Sequence, residues 1–279
     1  MAPVPVAISY DFDGTLAPGN MQEHVFLPAL NITPEVFWEK TNRLARDQQG
    51  DPILTYMHQM LQEARHANLP MRRADWVAHG RDITLFDGVE SWFDRIDAAA
   101  AARGIAVQHY VISSGLRELI DGTPIRRHLA KVFASGFLYD ASEVAIAAAI
   151  AVNYTTKTQY LFRINKGALD IADNAAVNAY QPHDQRAVPF SNMVFIGDGD
   201  TDIPCFRLVK EQGGHSIAVY NPRDKAGPER GERLMREGRV HCAVAADYRA
   251  GGDLEKRVLA VLDLLQARAL VTAPETRLS

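Results

Sequence analysis

Five short apolar runs, each breaking off at a polar residue, set the tightest limit on what this chain can fold into. They are VAISY before Asp11, VQHYVIS ending at Ser113, NMVFIG before Asp198, HSIAVY ending at Tyr220 and VHCAVAA before Asp247. Both parities of these runs are apolar, so strands made from them need cover on both faces, as in a parallel sheet. The segments between them supply that cover. Val89, Trp92, Phe93 and Ile96 recur at i, i+3, i+4 and i+7, and Leu254, Val258, Val261, Leu262 and Leu265 do the same near the end. Strands alternating with amphipathic helices predict a doubly wound, Rossmann-like α/β sheet.

Residues 18–85 interrupt this rhythm. They hold no convincing strand, but Thr33-Pro34-Glu35 and Asp51-Pro52 each place a capping residue before a proline suited to the first helical position. Ile53, Leu54, Met57, Met60, Leu61 and Ala64 then form one stripe. The chain therefore reads as an α/β core, residues 1–17 and 86–279, carrying a helical insert at 18–85. Its 279 residues suit one large core with a smaller addition. With 47% apolar and 23% charged residues, intrinsic disorder is excluded. A net charge of -4 provides no basic field for nucleic acid. The most membrane-like stretch, Val144 to Val152, falls short of the ~20 residues a span needs. With no signal-like N-terminus, the expectation is a cytoplasmic protein without membrane or nucleic-acid partners. Cys205 and Cys242 match no metal or redox spacing and read as small apolar residues.

Four segments carry chemistry. In YDFDGT, Asp11 and Asp13 lie two apart at a strand's end, so both address one site at the sheet's carboxyl edge, where open α/β folds bind ligands. Carboxylates this close need a cation, a shared proton or divided roles. In IGDGDTD, Asp198, Asp200 and Asp202 crowd a second strand end. A calcium loop also spaces Asp by two, but it requires Gly at its sixth position. Gly14 stands fourth from Asp11, and Ile203 stands sixth from Asp198. Oxygen ligands on such loops suit Mg²⁺ instead. In VISSGL, Ser113, Ser114 and Gly115 offer hydroxyls and N–H groups to an anion, although such a turn is common without one. In FRINKGALD, Lys166 reads as preceding a helix through Ala168, Ile171, Ala172 and Ala175, against the helix dipole. Lys157, in NYTTKTQ, is the competing lysine.

In this order the four segments resemble the haloacid dehalogenase (HAD) superfamily, and within it the phosphoserine-phosphatase-like branch. Asp11-Phe12-Asp13-Gly14-Thr15 is similar to its first motif, Ser113 to the second, Lys166 to the third and Gly197-Asp198-Gly199-Asp200-Thr201-Asp202 to the fourth. The resemblance implies a Mg²⁺-dependent phosphatase acting on a small phosphorylated metabolite. Asp11 would be the nucleophile and Asp13 the general acid and base. Asp11, the Asp13 carbonyl and Asp198 would hold the metal. Ser113, Ser114, Gly115 and Lys166 would bind the phosphate, with Asp202 and Thr15 in support. The insert would be the family's helical cap. Dehalogenases of the superfamily would leave Asp13 and the Asp198 cluster idle. Two alternatives stay open: transfer to an acceptor other than water, and a catalytically quiet scaffold that binds a phosphorylated ligand. Glu23, His24, Arg43, Arg46 and Tyr56 are the insert's polar candidates for facing the site. Residues 137–160 read as an added flap or an oligomer contact. Neither the substrate nor the oligomeric state is legible.

Overall fold

A computed structural model describes residues 2–272. Its seven strands are β1 (Val4–Tyr10), β2 (Ile105–Leu116), β3 (Leu129–Tyr139), β4 (Ala145–Ile150), β5 (Met193–Gly197), β6 (His215–Tyr220) and β7 (Cys242–Ala245). They form one sheet in the order β4-β3-β2-β1-β5-β6-β7. Every pairing is parallel except β3 with β4. The doubly wound sheet is therefore present, and all five apolar runs are strands in it.

The two parities of each run go to opposite faces. Val6, Ile8 and Tyr10 of β1 join one apolar cluster with Val111, Val194 and Ile196. Ala7 joins the other with Tyr110, Ile112, Met193 and Phe195. Period-2 alternation with both sides covered is the reason these runs look uniformly apolar. Helix Val89–Ala101 lays Trp92, Phe93 and Ile96, all buried, into the first cluster. Each such side chain contributes roughly 1.5–3 kcal/mol by leaving water.

The chain runs from β1 to β2 on one side and later returns to β5 on the other, so the winding reverses beside β1. Tyr10 pairs with both Val111 and Ile196, and Asp11 N donates to Ile196 O at 2.9 Å. This register lines up the carboxyl ends of β2, β1 and β5. The loops after those strands meet at one crevice, where open α/β sheets bind ligands.

Between β1 and helix Val89–Ala101 the chain is helical, chiefly Pro34–Gln48 and Pro52–His66. Both expected caps are made. Thr33 Oγ1 accepts from Val36 N at 3.5 Å, and Asp51 Oδ1 accepts from Ile53 N at 2.8 Å and Leu54 N at 3.0 Å. The cap on the second helix is worth about 1 kcal/mol. Met57, Met60, Leu61 and Ala64 are buried as their stripe requires, but Leu54 is exposed.

Two strands escape the sequence pattern. β3, LAKVFASGFLY, is interrupted by Lys131, Ser135 and Gly136, and β4, AIAAAI, is mostly alanine. Alanine is a poor strand former, so β4 exists because β3 offers a ladder to pair with. Residues 137–160 comprise the end of β3, strand β4 paired antiparallel to it, and the start of helix Tyr154–Lys166. Among the described residues no helix is long and apolar enough to cross a membrane.

Candidate active site

Asp11 is the first residue beyond β1, and its carboxyl is buried at the crevice. Its Oδ1 accepts from Phe12 N at 2.7 Å, and its Oδ2 lies 3.1 Å from Lys157 Nζ. Lys157 Nζ also donates to Asp202 Oδ1 at 2.7 Å, and the Lys157 and Asp202 side chains are wholly buried. Asp202 Oδ2 accepts from Asp198 N at 3.1 Å and Gly199 N at 3.4 Å. Both oxygens of Asp202 are thus engaged. Burial opposes charge on Lys157, but Asp11 and Asp202 outweigh it and hold the ammonium well above its usual range.

Carboxylate oxygens of Asp11, Asp198 and Asp202 lie within 4.8 Å of one another. One ammonium cannot neutralise three carboxylates. Asp198 is pushed well above the usual carboxylate range by burial first, then by Asp11 and Asp202. Asp202 rises to about 7 through burial and Asp11, against the pull of Lys157. The group therefore has the chemistry of a cation site, and a hard divalent ion with oxygen ligands suits it. Asp11 and Asp198 line the cleft whereas Asp202 is wholly buried behind it, so Asp11 and Asp198 are the carboxylates placed to hold such an ion. Gly14 makes room for Asp198. Its φ is +74°, and a Cβ built there would stand 2.1 Å from Asp198 Oδ2.

Asp13 does not join that group. Its Oδ1 accepts from Met21 N at 3.0 Å, and burial followed by the Asp11 charge raises its carboxyl well above the usual range. Ser113, Ser114 and Gly115, at the end of β2, border the same cleft as Asp11, Asp13 and Asp198. Ser113 Oγ accepts from Gly115 N at 3.0 Å, and Ser114 O accepts from Tyr56 Oη at 2.7 Å. The cleft has a volume of about 490 Å³. Thr15 is buried behind it, with its carbonyl bound by Tyr248 Oη at 2.8 Å.

This disposition of β1, β2 and β5 loops has relatives. Residues 8–207 match the family of haloacid dehalogenase-like hydrolases. The chain belongs to the haloacid dehalogenase-like hydrolases. An uncharacterized protein of Borreliella burgdorferi is 26% identical over 276 residues, spanning 89% of this chain and 93% of that one. Among solved structures, an apo phosphoserine phosphatase superposes with a TM-score of 0.56 at 15% identity, over 90% of this chain and 96% of that one. A HAD family hydrolase from Salmonella enterica serovar Typhi gives 0.55 at 18% identity, over 86% of this chain and 68% of that one. At these identities the structural likeness speaks for the HAD fold.

One expected residue is elsewhere. Lys166 ends helix Tyr154–Lys166 instead of beginning one, and Gly167 follows as a left-handed cap with φ +70°. Its Nζ donates to the carbonyls of Val177 and Ala179, at 2.7 and 2.8 Å, away from Asp11. Lys157 takes the place beside Asp11. The dipole argument holds once it is moved to the right lysine, because Lys157 lies one turn past the N-cap Asn153. The N-terminal signal was present as Asn153 with Thr156 three residues on, whose Oγ1 accepts from Asn153 N at 2.7 Å. Of the insert's polar candidates, Tyr56 reaches the cleft while His24 turns to Pro18 O. Gln22, Trp38, Thr41 and Asn42 also line it and carry no motif that a sequence reader could have used.

Proposed function

We propose that this HAD hydrolase is a Mg²⁺-dependent phosphatase that hydrolyses a small phosphate monoester through an aspartyl-phosphate on Asp11. The observation that carries the reading is the bonded row of Asp11, Lys157 and Asp202 at the carboxyl end of the central strand, beside an open cleft. Asp11 Oδ2 is the nucleophile, fixed in direction by Lys157 and by the Phe12 N–H. Lys157 also supplies fixed positive charge where phosphoryl oxygens gather, and Asp202 holds Lys157 in place. The N–H and hydroxyl groups of Ser113, Ser114 and Gly115 meet the oxygens from the other side. Asp13, two residues from the nucleophile and lining the same cleft, protonates the departing alkoxide and later takes a proton from water. Asp11, the Asp13 carbonyl and Asp198 would hold Mg²⁺, which would supply the neutralisation of carboxylate and phosphate charge that phosphoryl transfer chiefly requires.

In this reading residues 18–85 act as a cap over a core formed by 1–17 and 86–279. The proposed setting is the cytoplasm, with neither nucleic acid nor membrane as partner. Asp11→Asn should abolish phosphate release from p-nitrophenyl phosphate while the protein stays folded, and chelator should silence the wild type until Mg²⁺ is returned. Full turnover in folded Asp11→Asn, or in chelator, refutes the mechanism.

A further inference from the structure

Resting on the phosphatase reading, we infer that the departing alcohol is uncharged and hydroxyl-bearing, so the substrate is a neutral polyol-type phosphate ester and not a phosphorylated amino acid or hydroxy acid. The wall that the insert presents to the cleft is the ground for this. Asn20, Gln22, Trp38, Thr41, Asn42 and Tyr56 line it, and none of the cleft-lining residues from 19 to 56 is charged at neutral pH. A carboxylate on the leaving group would need a cation there, since burying one unpaired is costly. The insert's nearby cations are turned elsewhere. Lys40 pairs with Glu63 at 2.5 Å, and Arg43 and Arg46 are exposed and outside the lining. On the opposite rim Arg230 is paired with Asp224 at 2.6 Å.

An ammonium group meets no carboxylate on that wall either: Asp200 and Asp224 line the opposite rim, Asp200 3.4 Å from Arg233 and Asp224 paired with Arg230. Glu23 sits behind the wall, but one oxygen already accepts from both Trp38 Nε1 at 2.7 Å and Asn20 Nδ2 at 2.6 Å. Its role is to fix two wall residues. Uncharged hydrogen-bonding groups remain: the Asn42 and Gln22 amides and, as an acceptor only, the oxygen of the Tyr56 hydroxyl, whose proton goes to Ser114 O, beside the half-buried Trp38 ring. Gln22 is 2% exposed, and its Oε1 has no hydrogen-bond partner. A buried acceptor left open calls for a donor, which a hydroxyl provides.

The test measures kcat/KM for glycerol phosphate, phosphoglycerate, phosphoserine and phosphoethanolamine, with p-nitrophenyl phosphate as the generic ester. Glycerol phosphate and phosphoglycerate share a skeleton and differ in one carboxylate. Glycerol phosphate should exceed each of the three charged esters at least ten-fold. Asn42→Arg, at an exposed helical position, should shrink the ratio of glycerol phosphate to phosphoglycerate at least five-fold. Equal or better turnover of any charged ester, or an unchanged ratio in Asn42→Arg, overturns the inference while the aryl ester still reports a working phosphatase. Failure to hydrolyse any ester, the aryl one included, overturns the phosphatase reading and this inference with it.

Discussion

Replacing Lys157 by Met removes one charge from the centre of the site while nearly preserving side-chain length. Its ammonium stands 3.1 Å from Asp11 and 2.7 Å from Asp202. At an effective dielectric constant near 20, each contact is worth roughly 5–6 kcal/mol of gross attraction. Desolvation of the buried ammonium, several kcal/mol, offsets much of that sum. What the variant loses is set mainly by the carboxylates left behind, and breaking a buried pair from one side costs about 3–5 kcal/mol. Urea unfolding of metal-free protein at pH 7 should show a loss of that size. At pH 5 the loss should be smaller, because Asp202, which titrates near 7 even with Lys157 present, then carries a proton. Turnover of p-nitrophenyl phosphate should fall at least a hundred-fold at both pH values. Lys166→Met is the matched control. It forfeits only two hydrogen bonds to carbonyls, one of them exposed, so about 1 kcal/mol and less than a two-fold rate change are expected. If Lys157→Met stays active and stable while Lys166→Met is crippled, the assignment of the lysine is wrong.

Three further outcomes follow from the geometry. Asp13→Asn should slow alkyl phosphate hydrolysis severely and the first step on acidic aryl phosphates much less, so rapid quench should show a burst of phenol before slow turnover; equal losses with no burst would reassign Asp13. Because the Asp198 carboxyl is raised in the fold, its contribution is whole below the unfolded carboxylate range near 4 and is lost as pH climbs. Metal-free wild type should therefore lose Tm relative to Asp198→Asn as pH rises above about 4, and Mg²⁺ should restore it; parallel Tm curves for the two proteins would contradict the crowding argument. Gly14→Ala should destabilise by about 1–3 kcal/mol and weaken Mg²⁺ binding in calorimetry, since the backbone is left-handed and the new Cβ meets Asp198; unchanged affinity would show that Asp198 has other room.

The legible part of this protein is the part written in local chemistry. Asp11, Asp13, Ser113 and Asp198 were found because each stands where an apolar run stops, and a run covered on both faces stops at the sheet's carboxyl edge whatever the rest of the chain does. Thr33 and Asp51 announced their helices because a capping bond spans only three residues. Lys157 and Lys166 differ in a way that no such rule reaches. They sit nine residues apart in the sequence, and which one meets Asp11 depends on where helix Tyr154–Lys166 begins and on how it packs against the segment carrying Asp202. β4 likewise owes its form to β3, and its alanines carry no strand signal of their own. The cleft wall is the clearest case. Gln22, Trp38 and Asn42 belong to helices whose packing turns these side chains toward the strand ends while Arg43 and Arg46 face water. Rotation of a helix about its axis is set by all its contacts at once. Local chemistry therefore places the carboxylates, while the packing of whole helices sets which cation faces them and which side chains wall the cleft.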